Sequence, residues 1–369
     1  MNFLANILVA VLTTYFSFTN TVADNISRWF DIDQIRPATI TEDTSSKEDS
    51  ILSWLPSQFS DVVPDVLLRN PEYQQASLIS AADGTKNITS TSKPLDALVN
   101  IFCTFTTKEY IRTTTGSGFF ISPNGVIMTN AHVAQFLLLE DTEKNGHTEC
   151  VIRQGNPATA KYQADLLYIS PAWIQKNAKV LTAATPIGTG ERDYALLFVT
   201  DTVDGSPLPE SFPALNFDSE LLPISVKGDS VVALGYPAAA LIKKGAAADL
   251  VPQEASTTIS ELYTFGSNYA DVIALHGSKV GEEGASGGPI LNHAGKVIGV
   301  IVTKGDDKID GKGSLRAITV SYIDRTIKQE TGFSLFDNLN GNVAYRAAVF
   351  DRTMSPFLLT ILQQANYGN

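Results

Sequence analysis

The chain has 369 residues, 44% of them hydrophobic and 18% charged, which is enough apolar material for a large packed core and too much for wholesale disorder. That length holds one β domain of about 200–250 residues with appendages, or two ordinary domains. A net charge of −12, with no basic stripe in the chain, argues against nucleic acid or an anionic membrane surface as a partner.

Residues 3–18, FLANILVAVLTTYFSF, carry no charge, and the first acidic residue is Asp24. The run is short for a spanning helix and long for a signal-peptide core, and the basic flank usual in signal peptides is missing. Thr21-Val22-Ala23 offers small residues for cleavage. Residues 1–23 therefore read as a signal peptide or a membrane anchor. Either places the remainder outside the cytoplasm, membrane-anchored or secreted. Residues 24–96 hold twelve acidic and six basic residues, with polar tracts at Thr41–Ser50 and Asn87–Lys93. This is the composition of an acidic polar spacer.

From about residue 97 short runs rich in β-branched residues recur between turn signals, which is all-β texture. They are ALVNIFCTF, GSGFFI, GVIMTN, ADLLYIS, YALLFVT, SVVALGY, GPIL and KVIGVIVT. Ser122-Pro123-Asn124-Gly125 and Asn292-His293-Ala294-Gly295 each separate two runs and read as hairpin turns. Helical spacing appears only late, at 322–330 and 356–364. Cys103 and Cys150 are the only cysteines, too few for a structural zinc site. In an exported chain they read as one disulfide. It would close a loop of 47 residues, stabilising by roughly 4 kcal/mol. The other reading is two buried thiols.

The segment richest in chemistry is Gly284-Ala285-Ser286-Gly287-Gly288-Pro289. Glycines around a serine free the backbone to present Oγ and to aim successive N–H groups at one point. Gly284 and Ser286 would supply an oxyanion hole; the plain alternative is a glycine-rich turn with an incidental serine. The segment also matches G-x-S-x-G, but the nucleophile elbow needs a helix after the serine and a histidine far downstream. Here Pro289 and a hairpin follow, and only His293 lies beyond. Of the four histidines, His132 ends a strand and polar turn, GVIMTNAHV, and is the candidate base. His147 reads as a loop residue, His276 as a strand end and His293 as a hairpin tip. Asp193 precedes the apolar run 194–199, where an unpaired carboxylate is costly, and is the candidate orienter of the base. Asp165, before a similar run, is the runner-up.

Taken together, TGSGFFI (115–121), TNAHV (129–133), DYALL (193–197) and GASGGP (284–289) resemble the trypsin-like serine peptidases, in a form close to the bacterial Deg/HtrA branch. The order matches, with 61 residues from His132 to Asp193 and 93 from Asp193 to Ser286. The resemblance covers about residues 97–327 and leaves 328–369 as a C-terminal extension. It implies two six-stranded antiparallel β-barrels with short C-terminal helices. His132 and Asp193 would come from the first barrel and Ser286 from the second. It implies an acyl-enzyme serine endopeptidase acting on protein or peptide substrates, with no metal and no cofactor. Digestive members carry Asp directly before the nucleophile; Ala285 stands there, so their zymogen activation is not expected. Residues 328–369 are too few for the PDZ domain of Deg proteases. Val280, six residues before the serine, with Val302 and Thr303 on a pocket wall, implies an apolar P1 preference. Glu282 and Glu283 near the entrance would disfavour acidic substrates. A disulfide between Cys103 and Cys150 would brace the segment carrying the base. The rival function is a catalytically inactive module that binds peptides on the same fold.

Overall fold

β-Branched and aromatic runs punctuated by turns resolve into two closed barrels in a computed structural model. It describes residues 93–367 except 107–110, 141–146, 183–188, 239–248, 267 and 282. The expected signal peptide or anchor and nearly all of the acidic spacer lie outside the described residues, as does Glu282.

The first barrel is built from β1 (Leu98–Thr106), β2 (Ile111–Ser122), β3 (Val126–Thr129), β4 (His147–Gln154), β5 (Thr159–Ile169) and β6 (Ala195–Thr202), which close in the order β1-β2-β3-β6-β5-β4. The second is built from β7 (Ser230–Gly235), β8 (Gln253–Tyr263), β9 (Val272–Leu275), β10 (Pro289–Leu291), β11 (Val297–Lys304) and β12 (Leu315–Thr319). These close as β10-β11-β12-β9-β8-β7. Every neighbouring pair is antiparallel. Closure leaves no open edge for association with another chain. The all-β, two-barrel expectation is therefore met.

Both hairpin turns fall where the sequence places them. Gly125 (φ 83°) joins β2 to β3 and Gly295 (φ 72°) joins β10 to β11, backbone angles that glycine takes without strain. The strand β8 is polar, QEASTTISELY, and buries few of its side chains. β12 is five residues long and carries Arg316 at its second position. Neither has an uninterrupted apolar run like those of β6 and β11, and β4 (HTECVIRQ) lacks one as well. His147 opens β4, paired with Thr106, rather than sitting in a loop, and it remains exposed.

Cys103 and Cys150 lie directly opposite each other on β1 and β4 and form the expected disulfide. Such a bond persists in oxidising compartments. No helix among the described residues is long and apolar enough to cross a membrane.

Seven α-helical segments accompany the barrels among the described residues: α1 (Ala131–Ala134), α2 (Pro171–Asn177), α3 (Asp307–Asp310), α4 (Val320–Thr331), α5 (Leu335–Leu339), α6 (Val343–Thr353) and α7 (Ser355–Tyr367). Helix α4 grows directly out of β12. The Thr319 hydroxyl accepts from the Tyr322 N–H at its start, and Gly332 ends it in the left-handed region at φ 83°. The helix runs unbroken across residue 327, where the resemblance ends. Helix α6 lies on β5 and β6, and α7 lies on α2. Phe350, Met354, Leu358 and Leu362 are fully buried there, in one apolar cluster with the first barrel. The C-terminal segment is thus part of that barrel's core. A smaller cluster fills the second barrel.

Candidate active site

The serine segment leads into β10, and its shape depends on two glycines with positive φ, Gly284 (93°) and Gly287 (89°). A Cβ on Gly287 would stand 1.9 Å from the Ser117 carbonyl oxygen and 2.6 Å from Thr129 Oγ1. A side chain there is excluded by space as well as by backbone angle. The close approach has a purpose, because it carries the serine loop of the second barrel onto β2 and β3 of the first. The Ser117 N–H donates to the Ser286 carbonyl at 2.7 Å. Ser117 Oγ donates to the Gly284 carbonyl at 2.7 Å and accepts from the Tyr236 N–H at 2.8 Å. Thr129 Oγ1 donates to the Ser117 carbonyl at 2.7 Å, and Thr129 lies three residues before His132.

Around Ser286 the amides divide into two sets. The Gly287 N–H donates to the Ile301 carbonyl and the Gly288 N–H to that of Ala285. The N–H groups of Gly284 and Ser286 meet no protein acceptor among the described residues. These two, next to the half-buried Ser286 side chain, are the donors expected from the sequence to face an oxyanion.

The histidine lies in the first turn of α1 rather than at a strand end. Nδ1 of His132 is 2.7 Å from Oδ2 of Asp193, and the His132 backbone N–H donates to Oδ1 of the same carboxylate at 2.9 Å. Asn130 donates to the Asp193 carbonyl at 2.9 Å, and Gln135 donates to the His132 carbonyl at 3.0 Å. Asp193 is 6% exposed, and each of its oxygens meets His132. Burial pulls the His132 pKa down, but the charge of Asp193 and its hydrogen bond outweigh this and leave it above 6.5. No hydrogen bond joins Ser286 to His132 among the described residues, an arrangement common in unliganded sites, where such bonds tighten only with substrate.

The remaining candidates separate clearly. Val280 is fully buried and packs with Ala285 in the second barrel's core. Val302 packs on Gly190, where an added Cβ would come within 2.9 Å of its Cγ2, so it supports the loop leading to Asp193. Thr303 is half-buried and Glu283 exposed. Asp165 is exposed on β5. His276 is exposed beyond the end of β9 and His293 is exposed at the hairpin tip. Ser117 and Asn130 were not singled out from the sequence. Their only signal is their position inside the TGSGFFI and TNAHV blocks. No cluster of metal-ligating side chains occurs among the described residues.

A family model described as a trypsin-like peptidase domain matches residues 116–300, a span that contains His132, Asp193 and Ser286. Among solved structures, the chain is similar to the Rv3671c protease from M. tuberculosis in its active form. The identity is 20% and the TM-score 0.39, with 68% of this chain and 92% of that chain covered. A serine-to-alanine mutant of Rv3671c in an inactive form gives the same identity and TM-score, covering 66% and 97%. No curated protein matches the chain in a sequence comparison.

Proposed function

The chain belongs to the trypsin-like peptidase domain family, and from that premise we propose that it is a serine endopeptidase working through an acyl-enzyme. Ser286 Oγ attacks the scissile carbonyl. His132 takes its proton and later delivers it to the leaving amine. Asp193 holds the imidazole with its Nδ1 proton inward, leaving Nε2 free to accept. The N–H groups of Gly284 and Ser286 receive the oxyanion of the tetrahedral intermediate, each contributing about 3 kcal/mol to the transition state. A water molecule then releases the acyl group by the same steps.

The observation that carries this reading is the two-point hold of Asp193 on His132, at 2.7 and 2.9 Å. A peptide-binding module would have no use for a histidine held at both its ring and its backbone by one buried carboxylate. The test is covalent labelling of the full-length protein by a fluorophosphonate, beside Ser286→Ala and His132→Ala. Labelling lost in both variants supports the triad. A folded wild type that is never labelled favours the inactive module. For P1 the reading is an apolar residue; of the three pocket candidates Thr303 alone keeps a partly accessible side chain, while Val280 and Val302 are buried, and a peptide-library screen would check it. Secretion, or membrane anchoring through residues 1–23, belongs to the same reading. N-terminal sequencing of the mature protein distinguishes the two.

A further inference from the structure

Both chain neighbours of Asp193 are tied to helix α4, which belongs to the other half of the molecule. Arg192 adopts φ 55°, one of two non-glycine residues with positive φ among the described residues. This conformation is unfavourable for a residue with a Cβ and persists only where the surroundings impose it. Three contacts impose it. The Arg192 N–H donates to the Tyr322 hydroxyl at 3.1 Å. Its guanidinium donates to Gln329 Oε1 at 2.9 Å and forms an ion pair with Glu330. On the other side of Asp193, the Tyr194 hydroxyl shares a 2.8 Å hydrogen bond with Thr326 Oγ1. Tyr322, Thr326 and Glu330 are spaced by four and line one face of α4.

Glu330 is the centre of this set. It is fully buried, and besides Arg192 it accepts from the Tyr168 hydroxyl and, at 3.0 Å, from Ser170 Oγ. All three neighbours are donors, which suits an acceptor-only carboxylate; burial nevertheless raises the carboxyl above its usual range, against the pull of Arg192 and of these hydrogen bonds. Burial lowers the Arg192 pKa, but the charge of Glu330 and the nearby Tyr194, Tyr168 and Tyr322 outweigh this and keep the guanidinium cationic. Removing one partner would strand the other charge in a dry site. Nothing in the catalytic steps uses this pair, yet it sits one residue from Asp193. Helix α4 continues from β12, in the barrel that carries Ser286.

We infer that the Arg192–Glu330 pair is a positioning device: by holding Arg192 in its left-handed conformation, helix α4 sets the Asp193 carboxylate on His132 and fixes it relative to the serine barrel. This rests on the triad reading above. The residues are positioning residues, since neither reaches the reacting atoms.

The test is an NMR titration of the His132 imidazole in full-length protein, wild type against Glu330→Gln and Arg192→Gly, with kcat and KM measured alongside. The glycine variant tolerates φ 55° while removing the guanidinium, so it separates backbone strain from the ion pair. The expected result in both variants is a His132 pKa lower by roughly half a unit or more. With it goes a kcat lower by roughly 10- to 100-fold at unchanged KM. Arg192→Lys should restore part of each effect. If Glu330→Gln does not fold, Arg192→Gly and Arg192→Lys carry the test alone. A His132 titration that coincides with wild type in folded variants, with only the melting temperature lowered, overturns the inference. The imidazole titration does not require turnover. An inactive wild type whose His132 pKa still responds to Glu330→Gln would therefore count against the peptidase reading and not against the positioning pair.

Discussion

Replacing Asp193 with Asn tests the hold on His132 most directly. The exchange keeps size and shape, and the amide carbonyl can still accept from the His132 backbone N–H, now served by Oδ1 at 2.9 Å. The group facing Nδ1 at 2.7 Å changes from an acceptor to an NH₂ donor. The imidazole can keep that contact only by moving its proton to Nε2, which then has no lone pair for the Ser286 hydroxyl. With Asp193 only 6% exposed, little water is at hand to relieve the mismatch. The tautomeric error is expected to lower kcat on the order of 10⁴-fold. That corresponds to roughly 5 kcal/mol of lost transition-state stabilisation, with KM nearly unchanged. Stopped assays on an apolar-P1 peptide, together with the rate of fluorophosphonate labelling, measure it. Asp165→Asn, on the exposed face of β5, is the matched control and should retain wild-type kcat. A loss below about 10-fold in a folded Asp193→Asn protein would mean that Asp193 does not set the tautomer, and the proposed proton path would have to be abandoned.

Other expectations are independent of that one. Because the His132 pKa lies above 6.5, kcat/KM should rise with pH through a midpoint above that value; a flat profile between about pH 5 and 8 contradicts a histidine base. The same shift makes the His132–Asp193 pair stabilising below about pH 6.5, with the contribution lost as pH rises through the folded-state pKa. His132→Ala should accordingly lower the melting temperature more at about pH 5.5 than at about pH 9. Ser117→Ala strands the Gly284 carbonyl and the Tyr236 N–H. It should cost about 1–3 kcal/mol for each buried group left unpaired, read by urea denaturation, and should slow labelling of Ser286. Removing the disulfide by Cys103→Ser with Cys150→Ser should destabilise the protein by roughly 2–5 kcal/mol; equal denaturation midpoints would show that strand pairing alone holds β1 to β4.

Much of the site was legible in the sequence because its parts are local. A glycine-flanked serine, a histidine just past a strand and an aspartate at the head of an apolar run each declare themselves within a few residues. So do the hairpin turns ending in Gly125 and Gly295, and the apolar strands β1–β3, β5–β7, β10 and β11. The strands β4 and β8 stayed hidden because many of their side chains reach solvent, β9 because it is only four residues long, and β12 because Arg316 breaks a five-residue strand. Helices α5 and α6 have no strong apolar stripe of their own and are recognisable only against the barrel they cover.

What only the tertiary structure decided are pairings between residues far apart in the chain. Ser117 reaches Gly284 and Tyr236, Tyr194 meets Thr326, and Glu330 meets Arg192 across the two halves of the molecule. Composition and periodicity report the environment of a residue averaged along the chain. They carry no information on which distant hydroxyl or carboxylate closes a hydrogen bond, because barrel closure and helix packing choose that partner. The chemical groups of this site are therefore written in the sequence. Their orientation, which sets the Asp193 carboxylate on the His132 imidazole and backbone N–H, comes from the fold.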